Sequence, residues 1–247
     1  MLISIIVPTL NAAKSLPVML RQLSDRTDVE LLIVDGGSTD GTVEIAQAFT
    51  PYVFLSHPGQ ARQLNTGAQH ATGDILLFLP ADTFLLPLAM DDFQRRIVGT
   101  GAVGGAFDLN IDSGDWLYRW TARISNRYTR FFRSPDSAQG LFVWRQVFNT
   151  LGGFPDLPIF SDVAFVRKLR RAGRLAFLRG GLVTSTRRWT AHGLIKTTLV
   201  NWLLRLLYRL WISPRVLRQL DDHWLPPVVS VGSTRQSARA AVRSSND

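Results

Sequence analysis

The sequence predicts an α/β fold in which a mainly parallel central sheet is flanked by helices. Three early apolar runs, Ser4-Ile5-Ile6-Val7, Leu31-Leu32-Ile33-Val34 and Ile75-Leu76-Leu77-Phe78-Leu79, lack any apolar/polar alternation, as expected of strands buried on both faces. Helix-like stretches separate these runs, the order that right-handed crossovers impose on a parallel sheet. Each run also ends in residues suited to turns or chemistry: Pro8-Thr9, then Asp35-Gly36-Gly37-Ser38-Thr39-Asp40-Gly41-Thr42, then Pro80-Ala81-Asp82-Thr83. Ligands of such sheets bind beyond the carboxyl ends of the strands, so these three ends form the candidate site and a nucleotide is the candidate ligand.

Taken in order, strands are expected near residues 2–7, 29–34, 52–55 and 74–79, and helices over 13–25, 41–49 and 60–71. Asp40 is the expected N-cap of the second helix. A helix is expected from Pro87 to Val98, and Gly101 to Leu109 reads as a fifth strand. Trp116 to Arg130 reads as helix, Gly140 to Trp144 as strand, and Gly152-Gly153-Phe154-Pro155 as a turn. Asp162 to Arg171 is expected to be helical, with Val163, Phe165, Val166 and Leu169 on one broad face. Short strands near 175–178 and 182–185 precede a helical region that begins around His192.

In that last region Leu199, Trp202, Leu203, Leu206, Leu207 and Leu210 form one apolar stripe, while Arg205 and Arg209 sit together on the other side. Such a stripe suits either the domain core or a membrane interface. Lys196, Arg205 and Arg209 interrupt the apolar run, so interfacial contact is expected rather than spanning. From Pro226 the composition turns to Ser, Arg, Ala and Pro, and Ser230 to Asp247 is expected to be a disordered basic tail. The expected organisation is a domain over 1–190, an amphipathic helical extension over 191–225 packed on it or on a membrane, and a tail over 226–247.

With 247 residues and 46% hydrophobic content the chain can bury a large single core. The absence of cysteine excludes disulfides, thiolate nucleophiles and Cys-ligated zinc, so a metal must rest on oxygen or imidazole ligands. Net charge is +9 and uneven: from Val166 onward there are 16 Lys/Arg against 3 Asp/Glu. A basic C-terminal third suits phosphate-rich ligands or an anionic membrane surface. No nucleic-acid partner is expected, because no aromatic residues are interleaved with the tail's arginines as stacking requires. Met1 to Val7 lacks a basic lead and runs straight into Pro8-Thr9-Leu10-Asn11, so it reads as a first strand and not a signal peptide. The expected location is cytoplasmic, with the inner face of the cell membrane as a contact surface.

The turn from Asp35 to Gly41 is the strongest chemical signal. Its three glycines permit positive φ, and the helix that follows offers amide donors to an anion. The spacing is neither the G-x-G-x-x-G of dinucleotide folds nor a G-K-[ST] phosphate loop. An Asp at a strand end accepts hydrogen bonds from a base or a ribose.

Pro8-Thr9-x-Asn11, Val34-Asp35-Gly36-Gly37-Ser38-Thr39-Asp40-Gly41-Thr42, Gln60-Ala61-Arg62-Gln63-Leu64-Asn65-x-Gly67 and Phe78-Leu79-Pro80-Ala81-Asp82 together resemble the successive motifs of family 2 glycosyltransferases. The resemblance covers roughly residues 1–190 and implies the GT-A fold, which is Rossmann-like. It implies that Pro8, Thr9 and the Asp35 turn with Gly37 hold the nucleotide, that Asp35 recognises uracil, and that Arg62 lines the pocket. Asp82 matches the metal-binding acid of the D-x-D motif, whose first acid is replaced here by Pro80. It would meet a divalent cation, Mn²⁺ or Mg²⁺, bridging two phosphates; a helix cap is the competing role.

Gly152-Gly153-Phe154-Pro155 followed by Phe160-Ser161-Asp162 resembles the family's G-G-F and E-D pair, with Ser161 in place of the first acid. The resemblance implies that Asp162 is the catalytic base, since an acceptor hydroxyl must lose its proton as it attacks the anomeric carbon. Capping of a helix is again the competing role. Thr186-Arg187-Arg188-Trp189 resembles the end of the family's Q-x-x-R-W, with Ser185 at the Gln position. Arg188 would stabilise the leaving diphosphate and Trp189 would offer a face to a sugar or a lipid, unless the Trp is simply buried. His192 is either a further metal ligand or structural.

The function expected is transfer of a sugar from a nucleotide-sugar donor, a UDP-sugar, to a hydroxyl acceptor. Inversion follows from the resemblance alone. The acceptor stays open among a lipid, a small metabolite and a glycan. The alternative, motivated by Pro80 and Ser161, is a catalytically impaired protein of the same fold that serves as a peripheral membrane protein or scaffold.

Overall fold

The computed structural model describes residues 1–23, 26–85, 87–111, 115–184 and 187–226. Its strands in chain order are β1 (Ile3–Thr9), β2 (Val29–Asp35), β3 (Val53–Leu55), β4 (Ile75–Phe78), β5 (Thr83–Leu85), β6 (Gly104–Phe107), β7 (Asn110–Ile111), β8 (Leu141–Trp144), β9 (Leu175–Leu178) and β10 (Leu182–Thr184). Seven of them form one sheet in the order β3-β2-β1-β4-β8-β6-β9. Its first half is parallel, with Ile6 facing Leu32 on one side and Phe78 on the other, and Thr9 facing Asp35. The two strand ends that carry the candidate nucleotide residues therefore lie side by side.

The helices of this layer are α1 (Leu16–Arg21), α2 (Thr42–Gln47), α3 (Gln60–His70), α4 (Pro87–Val98), α5 (Trp116–Phe132), α6 (Arg145–Thr150) and α7 (Ser161–Ala172). One face of the sheet packs Ile3, Ile5 and Val7 against Leu16, Met19, Ala46 and Phe93 of α1, α2 and α4. The other packs Ile6, Leu32 and Val34 against Leu64, Phe148 and Phe165 of α3, α6 and α7. Both faces are covered, which is why the strand sequences carry no alternation.

Three features depart from the sequence reading. β8 runs antiparallel between β4 and β6, a reversal that a short apolar run does not signal. β5, β10 and β7 form a separate small sheet; β5 and β7, only three and two residues long, are too short to show a period. The N-cap of α2 is Gly41 and not Asp40, because the chain there takes φ 82°, a left-handed conformation that glycine adopts without cost. Asp40 lies one residue outside and accepts from Thr42 N and Ala13 N at 3.2 Å each. Burial opposes its charge, but a hydrogen bond from the Thr42 hydroxyl, with those from the two amides, prevails and holds its pKa below the usual carboxylate value.

Beyond β10 the chain forms α8 (Arg187–His192), α9 (Leu194–Arg209) and α10 (Pro214–Trp224). The apolar stripe of α9 faces outward: Leu199, Trp202, Leu203, Leu206 and Leu210 are exposed, while Leu204 and Thr197 are buried. Leu207 of the stripe is half-buried, and Leu204, which borders the stripe, is the residue that reaches the domain. Arg205 instead turns toward the domain and pairs with Asp136. Among the described residues no helix is long and apolar enough to cross a membrane. The expected tail from Ser230 to Asp247 lies outside the described residues.

Candidate active site

The site begins where β1 and β2 end. Asp35 is 1% exposed, and its carboxylate accepts from Gly37 N at 2.8 Å, Ser38 N at 2.7 Å, Ser38 Oγ and Thr9 Oγ1 at 3.0 Å. These donors occupy about all of the lone-pair positions that a carboxylate offers. Asp35 therefore shapes the Gly36–Ser38 turn at the mouth of the sheet. The chain enters that turn with Gly37 at a positive φ. Ser38 Oγ also accepts from Asn11 N at 2.8 Å, and Thr39 N donates to Asn11 Oδ1 at 2.9 Å, so the Pro8–Asn11 and Asp35–Gly41 motifs form one hydrogen-bonded unit.

α3 ties this unit to the rest of the site. Gln63, 5% exposed, donates from Nε2 to Thr9 O at 2.7 Å and to Val34 O at 2.9 Å, bridging the ends of β1 and β2. Asn65 Nδ2 donates to Phe154 O at 2.8 Å while its Oδ1 accepts from Phe154 N at 3.0 Å, clamping the Gly152–Pro155 turn onto the helix. A Cβ on Gly153 would lie 2.7 Å from Asn65 Oδ1, and its φ is 68°, so both space and backbone demand glycine there. Phe154 is 3% exposed and sets its ring 4.8 Å from Phe78 at the end of β4 and 4.7 Å from Phe165 of α7. Arg62 forms a two-pronged pair with Asp156, with Nε 3.1 and 3.0 Å from its oxygens and Nη2 at 2.9 Å. This exposed pair raises the Arg62 pKa through hydrogen bonding and charge.

Asp162 lies 8% exposed in the first turn of α7, whose N-cap is Phe160 at φ 63°. It is thus not the capping residue. Its Oδ1 accepts from Val163 N and its Oδ2 from Ser137 N, both at 2.8 Å. Ser137 Oγ in turn accepts from Gln60 Nε2 at 2.9 Å. α3 therefore touches both ends of the site: Gln63 holds the nucleotide end, and Gln60 leads through Ser137 to Asp162. Arg205, reaching in from α9, pairs with Asp136. Burial opposes the Arg205 charge, but the Asp136 and Asp162 carboxylates outweigh it and raise its pKa. Asp136 Oδ1 is buried without a hydrogen-bond partner among the described residues. Gln139 completes the wall, accepting from Thr129 Oγ1 at 3.0 Å.

Asp82 sits half-buried in the turn between β4 and β5. A strand, not a helix, follows it, so it does not cap α4. Among the described residues no group of three or more His, Asp or Glu could hold a metal. A single carboxylate suits a Mg²⁺-type ion bound largely by substrate phosphates, so Asp82 fits that role as one ligand. His192 is engaged elsewhere: its Nε2 lies 2.9 Å from Pro226 O and links α8 to the segment that follows α10. Trp189 is half-buried against Leu109, Ile111 and Ala122, with its ring edge-on to Tyr118 at 6.4 Å. The side chain of Arg188 lies outside the described residues. The sequence reading named Asp35, Arg62, Asp82 and Asp162 but missed the part that Gln60, Gln63, Asp136 and Arg205 play. Their residue types are ordinary for helix faces, and only the fold brings them to the site.

A parallel half-sheet with an acid-bearing turn at its carboxyl edge, joined by an antiparallel strand to a second acid on a helix, is the architecture of GT-A glycosyltransferases. The structure of S. aureus TarS 1-349 in complex with UDP-GlcNAc matches with TM-score 0.62 at 19% identity, over 75% of this chain and 58% of that one. Glucosyl-3-phosphoglycerate synthase from Mycobacterium tuberculosis, in complex with Mn²⁺ and UDP-glucose, matches with TM-score 0.60 at 20% identity, over 86% of this chain and 80% of that one. The model of the family described as Glycosyl transferase family 2 matches residues 4–151, more than half of the chain. The chain belongs to that family. A PGL/p-HBAD biosynthesis glycosyltransferase of Mycobacterium tuberculosis is 44% identical over 165 residues, 61% of this chain, and the chain spans 62% of that relative's length.

Proposed function

We propose that the protein transfers a sugar from a nucleotide-sugar donor, a UDP-sugar, to a hydroxyl of an acceptor, with inversion. One observation carries the reading: α3 links the turn built on Asp35, through Ser137, to Asp162, so that a candidate nucleotide turn and an acid share one hydrogen-bonded frame. Solved structures of this fold contain UDP-GlcNAc or UDP-glucose, one of them with Mn²⁺. The Pro8–Thr9 edge and the Asp35 turn with Gly37 receive the base and ribose. Asp35 meets the uracil by exchanging the rotatable Ser38 hydroxyl. Arg62, released from Asp156, and Arg188 balance the diphosphate, and Trp189 borders the sugar. Asp82 would hold Mn²⁺ or Mg²⁺ there, which supplies charge neutralisation on the leaving diphosphate. Asp162 takes the proton of the attacking hydroxyl, and its two amide donors keep both oxygens oriented.

The exposed stripe of α9 supports a peripheral membrane contact at the inner face of the cell membrane. Leu199, Trp202, Leu203, Leu206 and Trp211 are open to solvent, and exposed Lys196, Arg209 and Arg215 flank them. That combination matches an anionic interface, which takes apolar side chains at its boundary and cations at its headgroups. The donor is tested by thermal-shift measurement with UDP-sugars and GDP-sugars, each with and without Mn²⁺. Stabilisation by a UDP-sugar that grows with Mn²⁺ supports the reading, and no response to any nucleotide-sugar contradicts it.

A further inference from the structure

Between α5, α7 and α9 the protein holds a cavity of about 330 Å³, whose lining includes Val163, the residue after the candidate base. Five arginines line it, Arg133, Arg167, Arg170, Arg205 and Arg209, and no acidic residue does. Arg205 has a carboxylate partner, Asp136, and among the described residues the other four have none. Arg170 donates to the Phe132 carbonyl at 2.8 Å. Arg167 lies over the Tyr208 ring at 5.6 Å, and Arg209 over the Phe132 ring at 4.4 Å. These ring contacts orient the two guanidiniums, and among the described residues neither donates a hydrogen bond.

So many cations around one cavity repel one another unless an anion joins them. Planar guanidiniums match the oxygens of a phosphate in pairs. We infer that this cavity is a subsite for a phosphate ester, and that it holds the anionic end of the acceptor whose hydroxyl Asp162 activates. The second half of this inference rests on the proposed role of Asp162, whereas phosphate binding does not. The phosphate has two possible sources, a soluble sugar or polyol phosphate and a phospholipid headgroup. The exposed Phe131, Leu206 and Leu210 flank this region on α5 and α9 and suit the second source.

The test is calorimetric titration of the full chain with inorganic phosphate at constant ionic strength, comparing wild type with Arg133→Glu and with the Arg167→Gln/Arg209→Gln pair. Arg133 is exposed at the C-cap of α5, so Arg133→Glu removes no buried side chain and should keep the fold even if the double variant does not. Binding that weakens by about tenfold or more in a folded variant supports the subsite; absence of binding, or equal binding in Arg133→Glu, overturns it. Repeating the titration with sn-glycerol 1-phosphate and with phosphatidylglycerol vesicles identifies the source by which of the two is bound in a variant-sensitive way. Because no turnover is read, an inactive enzyme that still binds phosphate refutes the catalytic reading alone, and an active one that binds none refutes this inference alone.

Discussion

Asp162 is held by two backbone amides and stands close enough to Arg205 to raise the arginine's pKa. An acid fixed in this way has its orientation set before substrate arrives, which is the condition for efficient proton transfer. Asp162→Asn keeps the size but loses the proposed base, and its amide nitrogen can no longer accept from one of the two backbone amides. Transfer should fall by about 10² to 10⁴-fold, with a loss of about 1–3 kcal/mol of stability from the unmatched amide; activity assays beside a denaturant titration check both. Gly153 is a structural counterpart. Gly153→Ala forces a Cβ toward Asn65 Oδ1 at a positive φ and should cost about 1–3 kcal/mol of stability, read by denaturant titration. Gly152-Gly153-Phe154 was legible as a turn from its composition. That Asn65 grips it was not, because the partners stand 89 positions apart in the chain.

α9 shows how an element can be read from its period while its orientation stays open. The stripe and the arginine pair were legible from the helical period, but period alone does not say which side meets the domain. Here the polar side does, because Asp136 offers Arg205 a partner, and Leu204 is the leucine that enters the core at 1% exposure. Leu204→Ala should therefore destabilise the protein by about 2–5 kcal/mol. Leu203→Ala, one position earlier on the outer face, should stay within about 0.5 kcal/mol. The same outer face predicts that Leu203→Glu with Leu206→Glu leaves the melt unchanged but abolishes sedimentation with phosphatidylglycerol vesicles. Retained sedimentation in that variant would remove the membrane contact from the account.

At the scale of the whole molecule, the sheet's parallel half was legible because burial on both faces writes itself into unbroken apolar runs. The second sheet and the antiparallel β8 were not, since two to four residues carry no directional information. The basic C-terminal third gained a location, with arginines of α7 and α9 gathered around one cavity. The metal reading is a whole-site property as well. With Asp82 the one acid assigned to the ion and no cluster of three such ligands among the described residues, the cation should bind weakly without donor and tightly with it. Mn²⁺ titration with and without UDP should show that dependence, and Asp82→Asn should remove it. The central claim is that this frame carries out sugar transfer from a nucleotide donor. Its most direct test is turnover of UDP-sugars with Mn²⁺ by wild type, Asp82→Ala and Asp162→Ala. The account predicts UDP release by wild type and its near loss in both variants; equal release by all three would contradict it.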